Sequence, residues 1–214
     1  MKLFLDAEGK VDYDKITDGT TVGELLEAID LFLEDNKLPC DICGESCCKK
    51  SWSVEIDNVC VNRLCGWDRE AASNFIEEKL VMKENFFRGF FQYVLKKETN
   101  CCYVTESNLC TIYGQRPIIC RLYICSPRSH RYNVVRELVG GTYLRALVIE
   151  EKIRRNHTTA EMLVQYRRNP AVFARDYDIL IDDILYYAQE EGWLYPEETE
   201  ELYREQPREG ENAV

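Results

Sequence analysis

Histidine is nearly absent from this chain: His130 and His157 are the only two in 214 residues, and neither has a partner at metal-ligand spacing. That scarcity removes histidine-rich metal sites and Cys/His or Ser/His catalytic pairs, and both histidines read as surface or capping residues. The chain also lacks a Gly-rich loop for a nucleotide or S-adenosylmethionine, and it lacks a radical-enzyme CxxxCxxC. No stretch offers about 18 consecutive apolar residues. Even the apolar segment Leu138 to Ile149 is interrupted by Arg145, which excludes a spanning helix. The opening Met1-Lys-Leu-Phe-Leu-Asp-Ala-Glu-Gly loses its apolar run at Asp6, and no small-residue cleavage site follows, so no signal or transit peptide is expected.

Cysteine, by contrast, is abundant. Eleven in a chain without an export signal predict a reducing, cytoplasmic setting, where thiols stay reduced unless a metal or catalysis claims them. The odd count and the adjacent pairs Cys47-Cys48 and Cys101-Cys102 argue against a disulfide framework. Four thiols fall within nine residues, Cys40-Asp-Ile-Cys43-Gly-Glu-Ser-Cys47-Cys48. The first two have the C-x2-C spacing in which a tight turn aims two sulfurs at one ion, and Gly44 supplies backbone freedom to bring Cys47 round. A later block holds Cys102, Cys110, Cys120 and Cys125, so the second half of a cage is available. Isolated free cysteines often serve as small buried hydrophobes, but clustering this dense points to a metal centre. Cys60 and Cys65, with x4 spacing and apolar neighbours, fit extra ligands or packing, and we read them as packing.

The net charge of -11 is local rather than global. Residues 176 to 214 hold 13 acids against 2 arginines, and the remainder of the chain is neutral. Within that remainder, Arg116 to Arg175 carries 12 basic residues against 4 glutamates. Such a basic middle suits an anion, an acidic protein partner, the chain's own acidic tail, or a solvated helix surface. Nucleic acid is not expected as a partner, because the tail competes with phosphate for the same surface.

With 45% apolar residues, the chain is long enough for one sizeable globular domain. Alternation in Lys2-Leu-Phe-Leu and Lys10-Val-Asp-Tyr about Glu8-Gly9 predicts a short hairpin. Thr21-Val-Gly-Glu24 has the form of a capping box opening a helix to about Asn36, and Pro39 stops that helix and delivers Cys40 at its exit. Trp52 to Asp57 alternates as a half-buried strand does, and Asp68 caps a helix through about Val81. Asn85 to Lys96 is ambiguous between helix and strand, while Asn100 to Val104 and Leu109 to Tyr113 form a hairpin carrying Cys102 and Cys110. Helices follow over roughly Tyr132 to Asn156, with Gly140-Gly141 a kink candidate, then Ala160 to Arg168 behind Thr159, and Ile179 to Glu191. From Tyr195-Pro196 onward the sequence reads as a frayed acidic tail able to dock a short helix on the basic surface.

Cys40-x2-Cys43-x3-Cys47-Cys48, Cys102-x7-Cys110 and Cys110-Thr-Ile-Tyr-Gly-Gln-Arg-Pro-Ile-Ile-Cys120-Arg together resemble the YkgJ-type cysteine-cluster family, described as zinc- or iron-chelating. The family pattern has a CxxCxxCC opening and a closing C-x-I-Y-x-x-R-P-x-x-C-R segment. The closing segment matches unbroken from Cys110 to Arg121, and the opening is one residue longer here. Trp52-x-Val-x-Ile-Asp57 is similar, more briefly, to the flagellin lysine-N-methylase branch, which is thought to carry an iron-sulfur centre. The resemblance covers about residues 40 to 60 and 86 to 125, and it supports a strand at Phe86 to Lys96.

What the resemblance implies is a ligand set of Cys40, Cys43, Cys47, Cys48, Cys102, Cys110 and Cys120, with Cys125 an eighth candidate. Seven or eight thiols exceed one tetrahedral zinc or one cubane cluster, each taking about four, so either two centres share the pocket or some thiols have other roles. Thiolate-bound zinc and iron-sulfur clusters are both anionic, and Arg116 and Arg121 are placed to stabilise either. The expected fold is α+β. A cysteine-rich metal-binding region (40–125) and a helical region (126–195) form one domain, followed by the acidic tail (196–214). Function reads as zinc or iron binding, and the alternative is an iron-sulfur enzyme related to protein lysine methylation, or a redox protein.

Overall fold

The computed structural model describes residues 1–36, 54–85, 90–96, 101–107, 109–157 and 159–205. The fold is α+β: among the described residues, eight α-helices accompany two small antiparallel sheets. Strands β1 (Leu3–Leu5) and β2 (Val11–Tyr13) pair as the predicted hairpin, with Phe4 opposite Asp12 and Gly9 taking the left-handed turn conformation at φ 73°. Helix α1 (Val22–Asn36) opens on the capping box. Thr21 N–H donates to Glu24 Oε2 at 2.8 Å, and Glu24 N–H donates back to Thr21 Oγ1 at 3.1 Å.

The chain returns at Val54 to Asp57, where Ile56 N–H donates to the Tyr93 carbonyl and Leu95 N–H to that of Val54. These bonds add a short third edge to the ribbon of β3 (Leu80–Asn85) and β4 (Phe90–Leu95). Asp57 then starts helix α2 (Asn58–Leu64), and Asp68 caps α3 (Arg69–Lys79) by accepting from Ala71 N–H at 2.7 Å. Helix α3 therefore ends before Val81, and Leu80 begins a strand instead. Beyond the ribbon, the predicted strands Asn100 to Val104 and Leu109 to Tyr113 reduce, among the described residues, to a single antiparallel bridge between Val104 and Cys110, and a 3₁₀ turn (Tyr113–Gln115) takes up the end of the second and leads into the four-residue α4 (Ile118–Arg121).

Helix α5 (His130–Arg154) is the spine of the molecule. It runs unbroken through Gly140-Gly141, so these glycines do not kink it. A Cβ on Gly140 would lie 3.2 Å from Ile119 Cδ1, so the missing side chain lets α4 pack closely on α5. One hydrophobic core forms where α5 meets α1, the first hairpin and α7 (Ile181–Glu190), around residues such as Leu25, Ile29, Val139, Tyr143 and Ile184. A second, smaller core lies between α2, α3 and the ribbon, built from Ile56, Cys60, Val61, Ile76 and Leu95, and Leu147 of α5 joins it. Helix α6 (Ala160–Arg168), capped by Thr159, buries only Met162. Residues 196–205 are not wholly a frayed tail. Helix α8 (Pro196–Tyr203) seats Leu202 in the main core, Tyr13 Oη donates to the Leu202 carbonyl at 2.9 Å, and Arg131 donates to the Arg204 carbonyl at 2.7 Å. No helix among the described residues is long and apolar enough to cross a membrane.

Candidate metal centre

Asp57 joins two of the cysteine-bearing segments. Its carboxylate is fully buried and serves as the N-cap of α2, with Oδ1 accepting the Cys60 N–H at 2.9 Å. Oδ2 accepts the Ile118 N–H at 2.6 Å, satisfying a first-turn amide of α4 that has no intrahelical partner. Tyr177 Oη completes the set, donating to Oδ1 at 3.3 Å. Burial pushes the Asp57 carboxyl above its ordinary range, opposed by these backbone and hydroxyl donors.

The joint brings Cys60 of α2 beside Cys120 of α4. The Cys60 thiol is buried and donates to the Gln115 carbonyl at 3.3 Å. Burial pushes it well up, and the neighbouring charges of Asp57 and Cys120 push the same way. A second thiol neighbourhood forms around Tyr103. Its hydroxyl is raised first by burial and then by Cys102, Cys60, Cys101 and Cys65. Cys65 and Cys102 are themselves raised, each chiefly by burial.

Arg116 and Arg121 both turn toward Asp30 of α1, at 3.7 and 3.1 Å. Arg116 also stacks on Tyr113, its guanidinium carbon 3.7 Å from the ring centroid, and Arg121 lies 5.5 Å from the Tyr177 centroid. Arg63, ion-paired with Asp176 at 2.5 Å, covers the same ring at 5.3 Å. Two cations thus share one carboxylate on the α1 side, and the triple keeps a net positive charge.

Of the predicted ligand candidates, Cys120 lies beside Cys60, Cys102 belongs to the Tyr103 neighbourhood, and Cys110 sits on the hairpin bridge. Cys125 is exposed in the loop between α4 and α5. Cys40, Cys43, Cys47 and Cys48 lie outside the described residues. Among the described residues, no three cysteine, histidine or carboxylate side chains converge to hold an ion, so Cys102, Cys110, Cys120 and Cys125 do not form a complete site by themselves. The described thiols are soft donors of the kind zinc and iron take, and they suit part of a shared donor set.

Asp57 as a helix cap and Asp30 as an ion-pair partner escape the sequence, whereas Cys60, read there as a packing residue, is buried in the smaller core. The signal for Asp57 was present as an Asp three residues ahead of Cys60, the spacing of an N-cap, but the alternation of Trp52 to Asp57 drew the reading toward a strand. No family model, curated protein or solved structure matches this chain.

Proposed function

We propose that this is a metal-binding protein of the zinc- or iron-chelating cysteine-cluster type, in which Cys40, Cys43, Cys47 and Cys48 act with Cys120, and with Cys102 and Cys110 of the hairpin. Cys125 is the outlying candidate. One observation carries the reading: the segment bearing the first four thiols is bounded on both sides by elements fastened to the Arg116–Arg121 turn. Helix α1, which precedes it, is tied through Asp30 to Arg116 and Arg121, and Asp57, which follows it, holds Ile118 N–H. Two arginines against one Asp30 carboxylate leave the triple with the sign an anionic thiolate centre needs nearby. Such a centre requires deprotonated sulfurs, so loading releases protons and couples binding to folding. A bound zinc would supply structural cross-linking, and an iron-sulfur cluster would supply electron transfer as well. The setting that keeps these thiols reduced is the cytoplasm.

A second reading, an iron-sulfur enzyme related to protein lysine methylation or a redox protein, draws on the thiols beyond one centre's need. Cys60, Cys65 and Cys101 join Cys102 around Tyr103. Anaerobic purification followed by metal analysis and a visible spectrum separates the two. Stoichiometric zinc without colour supports the structural site, whereas broad absorption that bleaches reversibly on reduction supports the cluster. Protein that holds neither metal and takes up neither on anaerobic reconstitution overturns both.

A further inference from the structure

Two bulky residues hold left-handed backbone with their side chains partly in solvent: Trp67 at φ 65° and Phe173 at φ 61°. Large L residues rarely adopt this region, and it persists only where surrounding structure enforces it. Here both are hung on one buried polar knot. Phe173 N–H donates to Glu150 Oε1 at 2.7 Å, Asn62 donates to Glu150 Oε2 at 3.3 Å, and Trp67 N–H donates to the Asn62 carbonyl at 2.8 Å. Trp67 and Phe173 are 44% and 47% exposed, and Tyr166 of α6 meets the Phe173 ring edge-on at 5.7 Å. Leu163 and Val164 extend the apolar surface along α6. Its rim is basic: Arg167, Arg168 and Arg175 are exposed, and none pairs with a carboxylate among the described residues.

The complementary surface is on the same chain. The outer stripe of α7 is Asp183, Tyr186 and Glu190, one aromatic side chain, 66% exposed, between two exposed carboxylates. Their spacing puts them on one helix face. With a net charge of -11 concentrated in residues 176 to 214, a polyanion is repelled from the molecule as a whole, while an acidic stripe with an aromatic knob matches a basic, aromatic platform.

We propose that the α6 platform around Tyr166 and Phe173 docks the Asp183–Tyr186–Glu190 stripe of a second copy of this chain. The contact is heterologous, since each copy contributes a different face. The docking side chains named here, on α6, Phe173 and α7, are not thiol-bearing, and the contact does not call on a metal.

Sedimentation velocity on the purified full-length protein, from low micromolar to about 200 µM, tests this. The average mass should rise with concentration at about 50 mM salt and return toward the monomer at about 500 mM, where exposed charge pairs are screened. Tyr186→Arg and the double change Arg167→Glu/Arg168→Glu should each weaken association about tenfold or more. Mixing the Arg167→Glu/Arg168→Glu protein with an Asp183→Arg/Glu190→Arg protein should restore it, because the intact stripe of the first meets the intact platform of the second and the two reversed faces are again complementary. A monomer at all concentrations in low salt overturns the proposal, as does association indifferent to Tyr186→Arg. Failure of the mixed charge-reversed pair, with both variants folded by circular dichroism, overturns it as well.

Discussion

Asp57 Oδ2 accepts the Ile118 N–H at 2.6 Å, and through that bond the start of α2 and the start of α4 become one buried unit. The same carboxylate caps α2 through Oδ1. Pro117, which precedes Ile118, has no N–H, so Ile118 presents the first donor of α4. Replacement of Asp57 by Ala therefore strands two buried amides and the Tyr177 hydroxyl. At about 1–3 kcal/mol for each buried unsatisfied group, with some relief by relaxation, the loss should be about 3–5 kcal/mol in urea unfolding. Asp57→Asn keeps one carbonyl oxygen for the cap and loses the other acceptor, so about half that loss is expected. An Asp57→Asn protein as stable as the parent would show that the Ile118 bond contributes nothing.

Glu150, buried on α5, illustrates the same logic. Asn58, Asn62, Arg154 and the Phe173 amide all donate to it, and burial pushes its carboxyl up against those donors. Glu150→Ala should cost about 3–5 kcal/mol, because it leaves Arg154 short of a buried partner and the Phe173 amide, still in its left-handed conformation, without its acceptor. The Phe173 part is separable. Phe173→Gly, which tolerates that backbone region, should recover about 1 kcal/mol in the Glu150→Ala background, measured by the same denaturation.

Alkaline pH probes the main core. The Tyr13 hydroxyl is pushed up to about 12, chiefly by burial and with opposition from Arg131, and Tyr187 is likewise raised to about 12 by burial. A group whose folded pKa is raised binds more protons folded than unfolded between its two values. Its stabilisation is therefore complete below about 10 and is lost as pH rises toward 12. Thermal melts should fall through that window, and tyrosinate absorbance should gain a late component from Tyr13 and Tyr187, which ionise only at higher pH or on unfolding. Tyr13→Phe should soften the decline while losing the hydrogen bond to Leu202.

Local chemistry made much of the fold legible. The Thr21/Glu24 box, the Gly9 turn, the Thr159 cap and the Asp68 cap are all short-range devices, and each sits where its residues predicted. What escaped was decided across the chain. Gly140-Gly141 looked like a kink because the reason for Gly140, the approach of Ile119, is some twenty residues away in sequence. Helix α2 escaped because seven residues carry little periodicity, and Asp57 reads as the end of a strand until Ile118 is brought to it. Arg116 and Arg121 pair with Asp30 of α1, a carboxylate partner that has no sequence signature. For the thiols, spacing alone grouped Cys102 and Cys110, while the adjacency of Cys60 to Cys120 follows from the packing of α2 on the 3₁₀ turn.

Metal removal should have a divided effect, because the two cores depend on the thiol segments differently. The main core, from Leu25 and Ile29 through Val139 and Ile184, contains no cysteine, whereas Cys60 and Cys101 are part of the smaller one. Stripping metal anaerobically under reducing conditions should therefore leave most far-ultraviolet helical signal in place. It should raise amide exchange in α2, the 3₁₀ turn and α4, the segments gathered by Asp57, while α1, α5 and α7 keep most of their protection. The melting transition should drop and become sensitive to added zinc or iron, as mass action requires for a ligand bound only by the folded state. Cys120→Ser should reproduce the exchange pattern without chelator, whereas Cys125→Ser, in the exposed loop, should not. If chelation leaves both the transition and the α2–α4 exchange unchanged, the metal has no structural role here, and the excess of thiols must be explained by redox chemistry instead.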